Sequence, residues 1–306
     1  MLKAYFEKGV FLPRIPLTQL STEEKTSLLT LLERVGKKNM KKDLYENLLY
    51  ILPDKLLQNK EFLSRYLLLA AVLDQHADSS SARETVVKIY ETYSKDFFIK
   101  PQEYISEFDN IMNLVLQYYK PKVRVLRVKK EGTIIWRVGG YMISLINITK
   151  QYGSLTNYLK TFETPLQMLN NILCNPLIRG LLYEKAARMY VAWITHPQLY
   201  VNISDGIWTP DTIPMVINGH VCKVLARTGF LQSVLIESTD RPIVRAEEER
   251  SRIEKLIKTL YPKGDYFAID YGAFYIGLNY CSEKKPKCNN CPLNIICRKN
   301  TQIRAY

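Results

Sequence analysis

The stretch Cys281-SEKKPK-Cys288-NN-Cys291-PLNII-Cys297 holds four of the six cysteines of the chain, at the spacing C-x6-C-x2-C-x5-C. Thiolates so close together repel one another unless a cation lies between them, so the spacing predicts a metal centre. Zinc and iron–sulfur clusters both accept four cysteines. Structural zinc sites usually combine two close pairs. Here one close pair is flanked by longer spacers, which favours the larger iron–sulfur cluster.

Zinc, disulfides and unconnected free thiols remain as alternatives for these cysteines. Only Cys174 and Cys222 lie elsewhere in the sequence, and we find no secretory signal or lipidation motif. A secreted disulfide framework is therefore not expected. We expect an intracellular protein, whose reducing surroundings suit a cluster.

The composition indicates a folded and strongly basic protein. The 306 residues are 47% hydrophobic, which is enough for one large or two small domains. No apolar run approaches the roughly 20 residues that cross a membrane. The net charge of +13 predicts a polyanionic partner, because contacts from Lys and Arg to phosphates release counterions. Nucleic acid is the first candidate; an anionic membrane surface and a basic face without a partner are the alternatives.

The hydrophobic pattern is mostly helical. Ser21 and Glu24 have the spacing of a capping box, and the nearly all-apolar segment Phe62–Leu73 predicts a central buried helix. One segment breaks the pattern, because alternating β-branched residues at 123–128 and 133–138 flank a turn that contains glycine. This predicts an inserted β-hairpin, whose cations either grip phosphate or form the solvated face of an edge.

The cysteine spacing and the preceding stretch Tyr266-FAIDYGAFYIGLNY-Cys281 resemble the cluster loop of the endonuclease III-like branch of helix-hairpin-helix DNA glycosylases. The resemblance implies an all-α, two-lobed fold with a C-terminal [4Fe–4S] cluster held by Cys281, Cys288, Cys291 and Cys297. It implies a helical barrel domain over 61–200 and a discontinuous cluster domain made of 1–60 and 201–306. Double-stranded DNA would lie between the lobes. The cations expected to contact its backbone from the cluster loop are Lys284, Lys285, Lys287, Arg298 and Lys299.

A second motif, Ile178-RGLLYEKA-Ala187, resembles the family's hairpin L-P-G-x-G-x-(K or S)-x-A. Gly180 fits this pattern, and such a glycine lets backbone N–H groups approach a DNA phosphate. Leu182 replaces the second glycine, and Glu184 stands where the family has lysine or serine. Lys185, one position further on, is the candidate nucleophile if the register shifts; otherwise it is an exposed helical lysine.

A third motif, Ile213-PMVINGHVCKVLART-Gly229, resembles the segment that carries the family's catalytic aspartate. Asn218 stands in place of that aspartate, which supports an oxocarbenium-like transition state. A neutral amide would lose several kcal/mol of this support in a low-dielectric pocket. Another carboxylate would then have to act. The candidates are Glu184, Asp205, Asp211 and Asp74.

The base pocket is expected near a polar segment that follows the central helix. Gln75 and Asp78 match the family's glutamine and the aspartate three residues later, beside Asp74, although the same residues could only cap and turn the chain. Trp208 either stacks on a flipped base or fills a small core. His220 matches the family's histidine or is a helix-start histidine.

These features predict a DNA-repair N-glycosylase that excises an altered base flipped from duplex DNA, with lyase activity if Lys185 attacks the sugar. Two alternatives remain open. One is a catalytically inactive glycosylase-fold protein that binds DNA or damage, and the other is an N-glycosidase acting on a nucleoside or RNA. We expect a monomer that associates with the nucleoid and not with a membrane.

Overall fold

The computed structural model describes residues 14–75, 77–121, 130–178, 180–235, 243–244 and 246–305. Most of this part of the chain is helical, as the sequence predicts. The helices up to residue 216 are α1 (Thr22–Leu44), α2 (Asp54–Leu57), α3 (Lys60–Asp74), α4 (Ser79–Ile99), α5 (Phe108–Tyr118), α6 (Lys130–Ile134), α7 (Gly140–Tyr152), α8 (Leu155–Leu159), α9 (Pro165–Cys174) and α10 (Glu184–Thr195), with π-helical turns at Tyr45–Leu49 and Ile135–Gly139 and 3₁₀ turns at Pro101–Tyr104 and Pro210–Thr212.

The remaining helices precede the cysteine-rich loop. They are α11 (Gly219–Thr228), α12 (Ala246–Leu260) and α13 (Tyr266–Asn279), followed by a 3₁₀ turn at Cys288–Asn290. Short strands pair in two places: β1 (Arg14–Pro16) runs antiparallel to β2 (Ser233–Leu235), and β3 (Ile243–Val244) runs parallel to β4 (Arg304–Ala305). No helix in the described ranges is both long and apolar enough to cross a membrane.

The predicted β-hairpin is wrong in its second half. Residues 133–138 lie in α6 and the π-helical turn after it, whereas 123–128 are outside the described residues. Ile134, Arg137, Val138 and Tyr141 are buried at the spacing i, i+3, i+4, i+7, which is the period of one helical face. The β-branched composition suggested a strand, but the burial follows the helical period.

The chain divides into two compact units. The cysteine unit comprises Met1–Met40 and Ile217–Tyr306, and the helical unit comprises Lys41–Val216. The resemblance predicts boundaries at 60/61 and 200/201, whereas the structure has them at 40/41 and 216/217. The segments 41–60 and 201–216 belong to the helical unit because they make contacts within it. The Tyr66 hydroxyl donates to the Leu48 carbonyl at 3.0 Å, and the Trp208 indole N–H donates to the Glu163 carbonyl at 2.7 Å.

Helix α3 is the centre of the helical unit. All residues from Phe62 to Leu73 are buried, which confirms the predicted central helix. Asn59 caps its start by accepting a hydrogen bond from the Phe62 N–H at 2.9 Å. The hydroxyls of Tyr141 and Tyr190 donate to the carbonyls of Arg65 and Ser64, each at 3.1 Å.

The core of the cysteine unit depends on close contact between helix backbones. A Cβ added to Gly272 of α13 would lie 2.0 Å from the Leu32 carbonyl oxygen of α1, and one added to Gly36 would lie 1.8 Å from the Ala268 carbonyl oxygen. Only glycine permits such an approach. This crossing holds α13, and with it the start of the cysteine-rich loop, against α1.

The N-terminus of α1 forms the predicted capping box. The Glu24 carboxylate accepts from the Ser21 backbone N–H at 2.7 Å, and the Ser21 hydroxyl accepts from the Glu24 N–H at 3.2 Å. Two of the orphan N–H groups at the start of the helix are thus satisfied.

Candidate metal centre and catalytic residues

The cysteine-rich loop is fastened to the ends of α11 and α13. The Cys281 N–H donates to the Ile276 carbonyl at 2.9 Å as α13 ends. After Cys297, the N–H groups of Arg298 and Asn300 donate to the carbonyls of Thr228 and Arg227, at 3.1 and 3.0 Å. The backbone of the loop is thereby held at both sides of the four cysteines.

The four thiols lie close enough to influence one another. Burial is the main cause that raises the pKa of the Cys291 thiol to about 11; the Leu293 N–H opposes the rise, and the neighbouring Cys297, Cys281 and Cys288 contribute to it. Burial likewise raises the pKa of Cys297, and Cys281 and Cys288 add to the effect. All six cysteines of the chain are free. Four thiolates can exist here only if a positive group neutralises their repulsion.

Hydrogen-bond donors point at the sulfurs. The Lys299 N–H donates to Cys297 Sγ at 3.3 Å, and Arg227 Nη1 lies 3.5 Å from Cys281 Sγ. The Leu293 N–H also bonds the Cys291 sulfur. N–H donors to thiolate sulfur stabilise iron–sulfur clusters and tune them.

Two buried cations on α11 face the same loop. Arg227 is 2% exposed and Lys223, one helical turn earlier, is 5% exposed. The Arg227 guanidinium donates to the Ile303 and Ser282 carbonyls, at 2.8 and 2.9 Å, and no carboxylate pairs with it in the part of the chain that the structure describes. Burial and the neighbouring Arg227 lower the pKa of Lys223, and Cys281 and Glu283 oppose that shift. A buried cation without an acidic partner is costly, so the position of Arg227 favours an anionic group at the cysteines.

The donor set therefore fits an anionic thiolate centre. Cys281, Cys288, Cys291 and Cys297 would be its ligands. In the described residues, no group of three or more His, Cys, Asp or Glu side chains is arranged to hold a metal ion. The support for a centre thus comes from the charges and hydrogen bonds around the sulfurs.

Asn218 is the N-cap of α11. Its Oδ1 accepts hydrogen bonds from the N–H groups of His220 and Val221, at 2.8 and 3.2 Å. The residue before it, Ile217, has a φ of +32°, which is rare for a β-branched side chain. The Asp270 carboxylate accepts from the Ile217 N–H at 2.9 Å and so holds this turn in place.

Asp270 is a residue that the sequence interpretation missed. It is 3% exposed and lies in the middle of the apolar helix α13. An acidic residue inside so apolar a segment is itself a signal, because a buried carboxylate requires partners. His220 lies nearby, where its ring packs edge-on against Phe274 at 5.6 Å between centroids.

In the helical unit, Gln75 fastens the hairpin motif to the end of α3. Its Oε1 accepts from the Tyr183 N–H at 2.7 Å, and its Nε2 donates to the carbonyls of Leu181 and Val72, at 2.8 and 3.1 Å. Gln75 is buried, and backbone groups occupy its amide on both sides. Contact with an extruded base would require one of these bonds to open.

The hairpin motif has the turn that its glycine predicts. Gly180 has a φ of +80°, which favours glycine, and Arg179 is outside the described residues. Lys185 is exposed on the first turn of α10. The Glu184 carboxylate accepts from Arg188 Nε at 3.0 Å, an ion pair within the same helix.

Three more candidates in the helical unit have structural partners or a core position. Asp78 caps α4 by accepting from the Ser81 N–H at 3.1 Å. Asp205 forms ion pairs with Lys60 and Lys160, which hold its pKa below the ordinary value. Trp208 is buried, as the core interpretation expects.

Two further predicted carboxylates have no described ion pair. Asp74 lies near Tyr119 and the buried Arg137, whose charges interact with it, and Asp211 is half-buried in the 3₁₀ turn Pro210–Thr212. Neither belongs to the same unit as Asn218.

The basic residues of the loop differ in their availability. Lys284, Lys285, Lys287 and Lys299 are exposed. Arg298 is engaged within the protein, because its Nη2 donates to both oxygens of Glu24, at 2.6 and 2.5 Å. Four of the five predicted phosphate contacts are therefore free to meet a ligand, and Arg298 braces the loop against the start of α1.

Comparison with models of known protein families finds no match to this chain, and no curated protein sequence matches it. The resemblance to helix-hairpin-helix DNA glycosylases therefore rests on the motifs in the sequence.

Proposed function

We propose that this protein is a monomeric iron–sulfur DNA N-glycosylase of the helix-hairpin-helix type, which removes an altered base from double-stranded DNA. The observation that carries the proposal is the buried Arg227, which has no carboxylate partner in the described residues and lies against Cys281, next to the buried Lys223 and four interacting thiols. An anionic [4Fe–4S] centre would complete their charge. When bound, the cluster would cross-link the four cysteines and fix the basic loop.

In this proposal the rest of the chain positions the DNA. The exposed Lys284, Lys285 and Lys287 contact phosphates from the cluster loop. At the Gly180 turn, the first N–H groups of α10 approach another phosphate, where the helix dipole favours a negative charge. Asn218, at the start of α11, is placed near the sugar of the flipped nucleotide, and a carboxylate outside that turn supports the developing positive charge.

A panel of duplexes, each with one oxidised, alkylated or deaminated base, tests this function. Strand scission is measured with and without hot alkali. Cleavage only after alkali is the expected result for a monofunctional glycosylase. Cleavage without alkali, together with a covalent protein–DNA adduct trapped by borohydride, would indicate lyase activity. If Lys185→Ala abolished both and Lys150→Ala did not, Lys185 would be the nucleophile.

Asn218 favours a second candidate function, the binding of DNA damage without cleavage. Its Oδ1 is already occupied by two backbone N–H groups, and a neutral amide supports a cationic transition state less well than a carboxylate does. Protein that holds iron, binds duplex DNA and yields no product on any lesion would establish this candidate and exclude the glycosylase. Asn218→Asp would then be the variant in which to seek activity.

A further inference from the structure

Trp136 is the exposed tryptophan of the chain. Of its three tryptophans, Trp193 and Trp208 are buried, whereas Trp136 is 61% exposed. It lies in the π-helical turn Ile135–Gly139, in which Arg137 and Val138 point into the core. π-helical turns often occur at functional positions. The turn therefore projects the largest apolar side chain outward while its neighbours hold it to the protein.

The Trp136 indole lies beside the Gly180 turn. A Cβ added to Gly180 would lie 3.5 Å from Cζ2 of the indole, so the ring lies beside the space that a side chain at Gly180 would fill. Tyr183, which follows the turn, is 58% exposed. Its backbone is fixed, because the Tyr183 N–H donates to the buried Gln75 side chain at 2.7 Å.

The buried Arg137 supports this surface from below. Its Nη1 donates to the Val72 carbonyl at 2.7 Å, and its charge interacts with the Tyr183 hydroxyl. Trp136, whose indole lies beside Gly180, and Tyr183, three residues after Gly180, are thus two exposed aromatic side chains on fixed backbone next to the Gly180 turn. We call them the aromatic pair.

The charge around the aromatic pair indicates the chemistry of its ligand. The exposed Lys185 lies two residues after Tyr183, at the positive N-terminal end of α10, and the whole chain carries a net charge of +13. An apolar protein partner would not require these cations. Aromatic rings next to cations and backbone N–H groups match a nucleic acid strand, whose bases stack while its phosphates are neutralised.

We propose that Trp136 and Tyr183 stack against an unpaired base of DNA, next to the phosphate held at the Gly180 turn. The inference rests on the proposed function for its ligand, DNA, and adds the part of the DNA that this surface recognises. A fully paired duplex offers no free base face, so the aromatic pair distinguishes DNA with an unpaired base from intact DNA. This preference would be independent of any cleavage.

Tryptophan fluorescence tests the proposal directly, since Trp136 is the exposed fluorophore. The probes are a duplex with one unpaired base opposite an abasic site, the same duplex fully paired, and heparin as a polyanion without bases. We expect the first probe to quench the emission and to protect it from acrylamide, whereas heparin leaves the acrylamide quenching unchanged. Trp136→Ala should bind the first probe about tenfold more weakly, and Trp136→Phe should retain most of the affinity.

Ile143→Ala is the matched control, because Ile143 is also 61% exposed and lies on α7 in the same unit. If Trp136→Ala bound the unpaired-base duplex as tightly as the wild-type protein does, the inference would be overturned and the proposed function would remain intact. Equal quenching by heparin would do the same. If the wild-type protein bound no DNA at all, the proposed function and the inference would both fail.

Discussion

Arg227 and Lys223 reveal more about the cysteine loop than the cysteines do alone. Cysteine spacing predicts a set of metal ligands, but it does not show whether the charges of the surrounding residues are complementary to an anionic centre. The buried Arg227 guanidinium, which has no carboxylate partner in the described residues and lies 3.5 Å from Cys281 Sγ, supplies that information together with the buried Lys223. Without an anionic group at the cysteines these buried cations are a cost, and an iron–sulfur centre would be complementary to them.

Arg227→Met is therefore expected to weaken iron retention. The substitution removes the charge and the donor to Cys281 while keeping much of the side-chain volume. Loss of a residue that supports a metal ligand typically lowers metal affinity about 10- to 100-fold. The measurement is the rate and extent of iron loss to a chelator, compared with wild type. Lys258→Met, on the exposed face of α12, is the control; unchanged retention in Arg227→Met would contradict the role of the buried charge.

The sequence alone supported part of this site. The four cysteines stand out by their spacing, which is a local pattern, whereas the N-cap role of Asn218 was not predicted. Asp270 and Arg227 could not be assigned in the same way, because their roles depend on Ile217 and Ser282, 53 and 55 residues away in the sequence. Gln75 was singled out for a base pocket, and its amide proves to bond Tyr183 and Leu181.

Among the helices, α3 and α8 are joined through one carboxylate. Glu61 accepts from the N–H groups of Leu155 and Thr156, at 3.0 and 2.7 Å, and pairs with Arg65. Partial burial alone would raise the pKa of Glu61, but Arg65 and the two N–H groups outweigh it and lower the pKa. The ionised carboxylate thus stabilises the start of α8.

Glu61→Gln is expected to remove a pH-dependent part of the stability. Because the folded pKa of Glu61 lies below the unfolded one, its contribution is fully present above the unfolded pKa of about 4.3 and disappears as pH falls through the folded value. At pH 7 the variant should lose about 1–3 kcal/mol in the free energy of unfolding. Urea unfolding at pH 7 and near pH 3 measures this. An equal loss at both pH values would show that the charge is not involved.

The contact of α1 with α13 yields a sharp steric prediction. Gly272→Ala would place a Cβ 2.0 Å from the Leu32 carbonyl oxygen, so the two helices must separate and the core must repack. We expect a loss of about 3 kcal/mol or more in the free energy of unfolding, with weaker iron binding as a consequence. Gly132→Ala is the control, since nothing lies within 4 Å of its added Cβ. Similar stability of the two variants would contradict the close backbone contact.

Local sequence signals predicted those helices whose boundaries depend on nearby residues. Ser21 and Glu24 form the expected capping box, and Phe62–Leu73 is the expected buried helix. The error at 133–138 has a physical cause. Isoleucine and valine are common in strands, but here Ile134 and Val138 share a buried helical face, and Gly132, the glycine of the predicted turn, lies within α6.

For the protein as a whole, the net charge of +13 predicts salt-sensitive DNA binding. The triple variant Lys284→Ala, Lys285→Ala, Lys287→Ala should bind duplex DNA more weakly. The slope of log K against log salt should fall by about 0.9 for each phosphate that the variant no longer neutralises. A second triple variant at Lys38, Lys255 and Lys258, which are exposed in the same unit, is the control. Equal effects of both variants would show that charge alone, and not the cluster loop, directs binding.

The iron and acid-labile sulfide content of protein purified without oxygen tests the central claim most directly. The account predicts about four irons and about four sulfides per chain, with broad visible absorption, all lost when Cys291 is replaced by alanine and retained when Cys174 is. Cys174 is exposed and outside the loop, so it controls for the loss of a thiol. One zinc per chain without sulfide, or no metal at all, would contradict the assignment of an iron–sulfur centre.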